Sequence, residues 1–289
     1  MDFGKVLTAM VTPFNEKGDI DFDQTTRLVD HLIENGTDGL VVAGTTGESP
    51  TLSTDEKVAL FKHVVAAANK RVPVIAGTGS NNTATSIALT KQAEACGVDG
   101  IMLVAPYYNK PNQKGLEAHF SAIAKETTLP IMLYNIPGRS VVKMNAETII
   151  SLSNIDNIVS VKEASGDLDQ AAEIIEQTSD DFTVYSGDDG LTLPMLAIGA
   201  DGIVSVASHI VGKEMQAMIA AYEAGNVQEA ASLHRRLLPI MNSLFQAPSP
   251  VPVKEALRLR GINVGSVRLP LVPLTDQEAT ELSAIIQQL

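Results

Sequence analysis

Short apolar runs alternate with longer amphipathic segments along most of this chain. The runs fall at 6–11, 40–43, 74–77, 101–104, 131–134, 158–162, 183–186 and 203–206. Each is short, rich in β-branched residues and bounded by turn-forming residues, so each reads as a strand. Their near-continuous apolarity marks strands covered on both faces, as in a parallel sheet under helices. Between them the spacing predicts helices, among them 23–34, 54–69, 83–96, 114–126 and 145–153. Capping residues precede several of these, and glycine follows several, as at Asn35-Gly36, Cys96-Gly97 and Ile198-Gly199. A phrase ending in Asp-Gly recurs at 36–39, 97–100 and 199–202, a helix stop and tight turn feeding the next strand. Eight strand–helix units are the number that closes an α/β barrel. An open doubly wound sheet would carry a glycine-rich nucleotide turn after its first strand, whereas Thr12-Pro13-Phe14-Asn15 follows here.

Beyond residue 225 the pattern changes. Periodic segments at 227–244, 253–261 and 276–287 predict three helices with no strand between them, separated by proline-rich turns. The expected division is a barrel catalytic domain at 1–224 and a helical extension at 225–289 packed upon it. With 289 residues, 45% hydrophobic, the chain can bury a large core. Its net charge of −13 argues against a nucleic-acid partner, and an anionic substrate would need local positive charge. The single cysteine, Cys96, excludes an internal disulfide. Met1-Asp2-Phe3-Gly4-Lys5 shows no signal-peptide pattern, and no apolar stretch reaches membrane-spanning length, so a cytoplasmic protein without a membrane partner is expected. His31, His63, His119, His209 and His234 lack metal-ligand spacing, and no metal site is expected.

The sixth run, Ile158-Val159-Ser160-Val161-Lys162, ends in a charge and continues as Glu163-Ala164-Ser165-Gly166-Asp167. An ammonium taken out of water either loses its proton or finds a partner. Two readings follow. Lys162 reaches solvent or pairs with Glu163; or burial lowers its pKa from about 10.4 toward ~7–8 and makes it a Schiff-base nucleophile. The other strand ends favour the second, because barrel enzymes build their sites there. Gly44-Thr45-Thr46-Gly47-Glu48-Ser49 follows the second strand, and Ala105-Pro106-Tyr107-Tyr108-Asn109 the fourth. The fifth ends in Tyr134 and continues Asn135-Ile136-Pro137-Gly138-Arg139; after the seventh comes Gly187-Asp188-Asp189-Gly190. Tyrosine and threonine hydroxyls can relay protons, the turn at Thr45-Thr46 can hold a carboxylate, and Arg139 offers a fork for a second one. The structural alternatives remain open. Tyr107-Tyr108 reads equally as an exposed interface pair, 44–47 as a tight turn and N-cap, Arg139 as a surface ion-pair partner, and Asp188-Asp189 as a turn or helix start.

Taken together, Gly44-Thr45-Thr46-Gly47-Glu48-Ser49, Pro106-Tyr107-Tyr108, the segment from Tyr134 to Arg139, that from Lys162 to Asp167, and Gly187-Asp188-Asp189 resemble the dihydrodipicolinate synthases. These belong to the pyruvate-dependent class I aldolases, with N-acetylneuraminate lyase. The likeness runs in order over essentially the whole chain. It implies a (β/α)8 TIM barrel with a C-terminal three-helix extension. It also implies condensation of pyruvate with L-aspartate-4-semialdehyde to 4-hydroxy-tetrahydrodipicolinate, on the diaminopimelate route to L-lysine, without a cofactor. By position, Lys162 would form the Schiff base, and Tyr134, Thr45 and Tyr108 the proton relay. Thr46 and the backbone at Val204 would contact pyruvate, Gly187 would line the site, and Arg139 would meet the semialdehyde carboxylate. Tyr108 would come from a neighbouring subunit, making a homodimer the minimum unit; many members are tetramers. Lysine-inhibited members carry histidine and glutamate where this chain has Thr54 and Thr85, so weak feedback by L-lysine is expected. The rival within the fold is a sister lyase acting on a sialic acid or keto-deoxy sugar acid. A different class of reading is a barrel that binds 2-oxo acids without catalysis.

Overall fold

The computed structural model describes residues 3–289; Met1 and Asp2, the start of the segment read for a signal-peptide pattern, lie outside them. Eight parallel strands close into one barrel in sequence order: β1 (Val6–Ala9), β2 (Gly39–Val42), β3 (Val74–Gly77), β4 (Gly100–Val104), β5 (Ile131–Asn135), β6 (Ile158–Glu163), β7 (Thr183–Ser186) and β8 (Gly202–Ser205). β8 pairs with β1 to complete the ring. The surrounding helices are α1 (Phe22–Glu34), α2 (Thr54–Ala68), α3 (Thr83–Ala95), α4 (Gln113–Ala124), α5 (Pro137–Ser140), α6 (Ala146–Leu152), α7 (Leu168–Gln177), α8 (Thr192–Ala197) and α9 (Ser208–Glu223). Then α10 (Val227–Ser243), α11 (Val251–Leu259) and α12 (Asp276–Ile286) follow with no strand among them.

Each expected strand is present, with ends displaced by a residue or two. β2 stops before Ala43, whose φ of +53° turns the chain out of the sheet. β1 ends at Ala9 rather than residue 11. Met10 still donates to the Val41 carbonyl at 3.0 Å, but the Val11 amide donates to His209 Nε2 instead of a strand.

The recurring Asp-Gly phrase has a specific task. Asp38 Oδ2 accepts from the amides of Lys5 and Val6, Asp99 Oδ2 from Val74, and Asp201 Oδ2 from Val184, at 2.7–2.9 Å. Each aspartate amide also donates back, to the carbonyls of Val6, Val74 and Val184 respectively. The phrase therefore ties the start of one strand to its neighbour, closing the end of the barrel opposite the candidate site.

Strand side chains alternate between two cores, as the period of two requires. Inside the barrel, Leu7, Val41, Ile75, Met102, Met132, Tyr134, Tyr185 and Val204 pack together. The opposite faces, with Leu40, Val42, Ile101, Leu133 and Val161 among them, pack under the helices in a larger cluster. The filled interior leaves room for chemistry only at the barrel's C-terminal end.

Candidate active site

β6 brings Lys162 to the top of the inner core. Lys162 is 5% exposed, and in register it pairs with Tyr134 of β5 and Tyr185 of β7. Its Nζ lies 4.4 Å from the centroid of the Tyr134 ring. The ion pair with Glu163 does not form. Glu163 faces the helix layer, where its carboxylate accepts from Asn135 Nδ2 (2.9 Å), Gln170 Nε2 (3.2 Å) and the Ser165 amide (2.7 Å). Strand alternation sends the two neighbouring charges to opposite faces. Among the described residues, no carboxylate pairs with Lys162.

Gly187 makes room for that lysine. A Cβ at this position would lie 2.6 Å from Ala164 Cβ and 3.0 Å from Lys162 Cε. Tyr134 forms part of the wall of a cavity of about 300 Å³ at the C-terminal ends of β2–β5. Thr45, Lys57, Ser80, Tyr107 and Arg139 also face it. Thr46 is buried next to Thr45, and Val204 is buried in the inner core near the barrel axis. The hydroxyls of Thr45 and Tyr134 share this cavity without hydrogen-bonding each other.

Arg139 is exposed at the cavity rim, and no described carboxylate pairs with it, so its guanidinium is available to an anion. Lys57 adds a second cation, and burial pulls its pKa below the usual lysine value. Positive charge thus gathers at this mouth of a strongly acidic chain. Tyr108 is not in the cavity of its own chain. It is 88% exposed and holds a left-handed φ of +73°, while Tyr107, 38% exposed, lines the cavity.

Two anchors escaped the sequence reading. Asp189, fully buried, accepts from Ser205 Oγ and from the amides of Val206 (3.1 Å) and Ala207 (2.9 Å), holding the end of β8; burial raises its pKa. The pair also does what the turn reading foresaw: Asp188 caps a short 3-10 turn that begins at Asp189, its Oδ1 accepting from the Gly190 amide. Glu48, in the Thr45–Thr46 loop, meets Lys254 of α11. Neither link leaves a local signal, because the partners are distant in sequence. Among the described residues, no three His, Cys, Asp or Glu side chains are grouped to hold a metal, and no helix is long and apolar enough to cross a membrane.

The fold and site define a (β/α)8-barrel protein with a buried strand-end lysine beneath a tyrosine-walled, cation-rimmed cavity. The sequence model of the dihydrodipicolinate synthetase family matches residues 2–289, and the chain belongs to that family. It is 64% identical over 289 residues to 4-hydroxy-tetrahydrodipicolinate synthase 2 of Halalkalibacterium halodurans, covering 100% of this chain and 99% of that one. A dihydrodipicolinate synthase structure from Bacillus anthracis superposes with a TM-score of 0.99 at 61% identity, covering 100% of this chain and 99% of that one. One from Cyanidioschyzon merolae with lysine bound gives 0.97 at 49%, covering 99% and 97%.

Proposed function

We propose that this chain condenses pyruvate with L-aspartate-4-semialdehyde to 4-hydroxy-tetrahydrodipicolinate, through a Schiff base on Lys162. The observation that carries the mechanism is the burial of Lys162 at a strand end, without a carboxylate partner and 4.4 Å from the Tyr134 ring. The amine attacks the keto carbon of pyruvate, and the carbinolamine loses water. The protonated imine then draws electrons from the methyl carbon as it gives up a proton, so the chemistry is written without a cofactor. The resulting enamine carbon attacks the semialdehyde's carbonyl. The semialdehyde's own amine next adds to the imine carbon and displaces Lys162, closing the ring. This product feeds the diaminopimelate route to L-lysine.

In this reading Tyr134 gives and takes the protons of imine formation, with Thr45 and Tyr108 completing the relay. Thr46 and the backbone at Val204 hold pyruvate, Gly187 shapes the space around the lysine stem, and Arg139 meets the semialdehyde carboxylate. Tyr108 points into solvent, so it serves a neighbouring copy's site, which makes a homodimer the minimum unit and permits a tetramer. Residues 1–224 carry the catalytic groups, and 225–289 form the extension. The enzyme works in the cytoplasm. The sister lyase is not favoured, given the synthase names of the relatives at about this identity.

Borohydride reduction in the presence of pyruvate tests the central step. The peptide containing Lys162 gains the mass of a reduced pyruvate adduct, and Lys162→Ala abolishes both the adduct and turnover. An unmodified Lys162 peptide in active enzyme sinks the Schiff-base reading.

A further inference from the structure

Glu48 belongs to the loop that carries Thr45 and Thr46, yet its carboxylate is directed away from the cavity and is 3% exposed. Its φ of +57° is left-handed, a conformation costly for a side chain other than glycine or asparagine. Its amide donates to the Thr45 carbonyl at 3.1 Å, and the Ser49 amide donates to Gly44 at 3.2 Å, so the turn closes around the two threonines.

What holds this turn comes from the far end of the chain. Lys254 of α11, also 3% exposed, places Nζ 2.7 Å from Glu48 Oε1, a charge contact outside hydrogen-bond angles, and donates to the Ser266 carbonyl at 2.7 Å. The Arg268 amide donates to Glu48 Oε2 at 2.9 Å. Arg268 then donates from its guanidinium to the Thr51 carbonyl at 2.7 Å and pairs with Glu56 of α2. Both cations lie over the Phe14 ring, at 4.2 and 4.4 Å. The segment can approach this closely because of Gly265: at φ +67°, a Cβ there would lie 1.8 Å from the Phe14 carbonyl oxygen.

A buried ion pair is a poor way to gain stability. Desolvation opposes it, and burial draws the Lys254 ammonium down to about 8 despite Glu48. An apolar pair of similar volume would fill the space as well. The hydrogen bond from the Arg268 amide to Oε2 is directional, as apolar contacts are not, and the Lys254 charge holds Oε1, so each carboxylate oxygen of Glu48 has its own partner. We propose that Lys254 and Arg268 form a positioning strut, through which the helical extension sets the turn at Glu48 and hence the placement of Thr45 and Thr46 toward pyruvate. None of the three touches the reacting atoms. The proposal rests on the role assigned above to the two threonines.

The test compares Lys254→Met, which leaves the buried carboxylate without its ammonium, with the double variant Glu48→Gln/Lys254→Met, which neutralises both ends at similar volume. The expected result is a lowered Tm in the single variant that is largely restored in the double. The KM for pyruvate stays raised on the order of tenfold in the double, with kcat within about threefold of wild type. Amides 45–49 also exchange hydrogen faster in the double variant, a readout independent of activity. Joint return of Tm, KM and exchange to wild-type values overturns the proposal. So does a double variant that fails to fold, since the pair then serves the fold itself. Borohydride trapping of wild-type Lys162 is run alongside: its failure sinks the Schiff-base reading, while the exchange comparison still judges the strut.

Discussion

At the scale of single residues, the alternation of β6 decides which of two adjacent charges can do chemistry. Lys162 turns to the barrel axis and meets the Tyr134 ring, while Glu163 turns outward to Asn135 and Gln170. Sequence alone leaves their pairing open; the pleat excludes it. The space around the lysine is set just as locally. In Gly187→Ala the new methyl falls 2.6 Å from Ala164 Cβ and 3.0 Å from Lys162 Cε, so the stem must shift. We expect kcat/KM for pyruvate to fall ~100-fold, as displacements near 1 Å do, with an unchanged circular dichroism spectrum. Steady-state kinetics at fixed semialdehyde provide the check. Thr54 and Thr85 belong to this scale too. Both are exposed and uncharged, and neither supplies a charged partner for a ligand ammonium. Titration with L-lysine is expected to leave activity above one half at 1 mM, a concentration that corresponds to about 4 kcal/mol of binding.

At the scale of elements, the join between β8 and α9 contains a buried imidazole with a consequence for acid stability. His209 is fully buried; Nδ1 lies 2.8 Å from the Val206 carbonyl, and Nε2 accepts from the Val11 amide at 3.2 Å. The carbonyl requires a proton on Nδ1 and the amide requires a bare Nε2, so the ring is neutral. Burial holds its pKa down to about 4, against 6.5 for an unhindered histidine. As pH falls from 6.5 to 4, the unfolded chain takes up a proton that the native state refuses. The stability present above pH 6.5 is therefore lost across that window, by up to ~3 kcal/mol from this residue. Thermal melts at pH 7 and pH 4.5 should show the loss, and His209→Gln should shrink the difference between them. The element spans themselves were legible. Helices expected at 54–69 and 276–287 are found at Thr54–Ala68 and Asp276–Ile286, because their capping boxes, Ser53 with Glu56 and Thr275 with Glu278, are local signals.

At the scale of the whole molecule, the position of Tyr108 predicts that activity depends on assembly. A tyrosine 88% exposed, held at φ +73°, cannot serve the cavity that its neighbour Tyr107 faces. Tyr108→Phe alone and Lys162→Ala alone should each lose most activity. Co-expressed, they should form mixed dimers with one intact site each, restoring roughly a quarter of wild-type turnover under random pairing. Absence of recovery in purified mixed dimers would falsify the lending of Tyr108 between subunits.

The sequence by itself determined the barrel, the order of its strands and the strand-end segments that hold the candidate site. All of these follow from periodicity, capping and turn chemistry, which act over a few residues. Tertiary structure decided the rest. It separated Lys162 from Glu163, turned Tyr108 away from its own cavity, and set Asp189 against the end of β8. It also placed Lys254 against Glu48, bringing the helical extension to the loop of Thr45 and Thr46. These contacts join residues up to about 200 positions apart. Burial and charge make them strong in the fold, but nothing in the neighbouring sequence encodes which distant partner each side chain will meet.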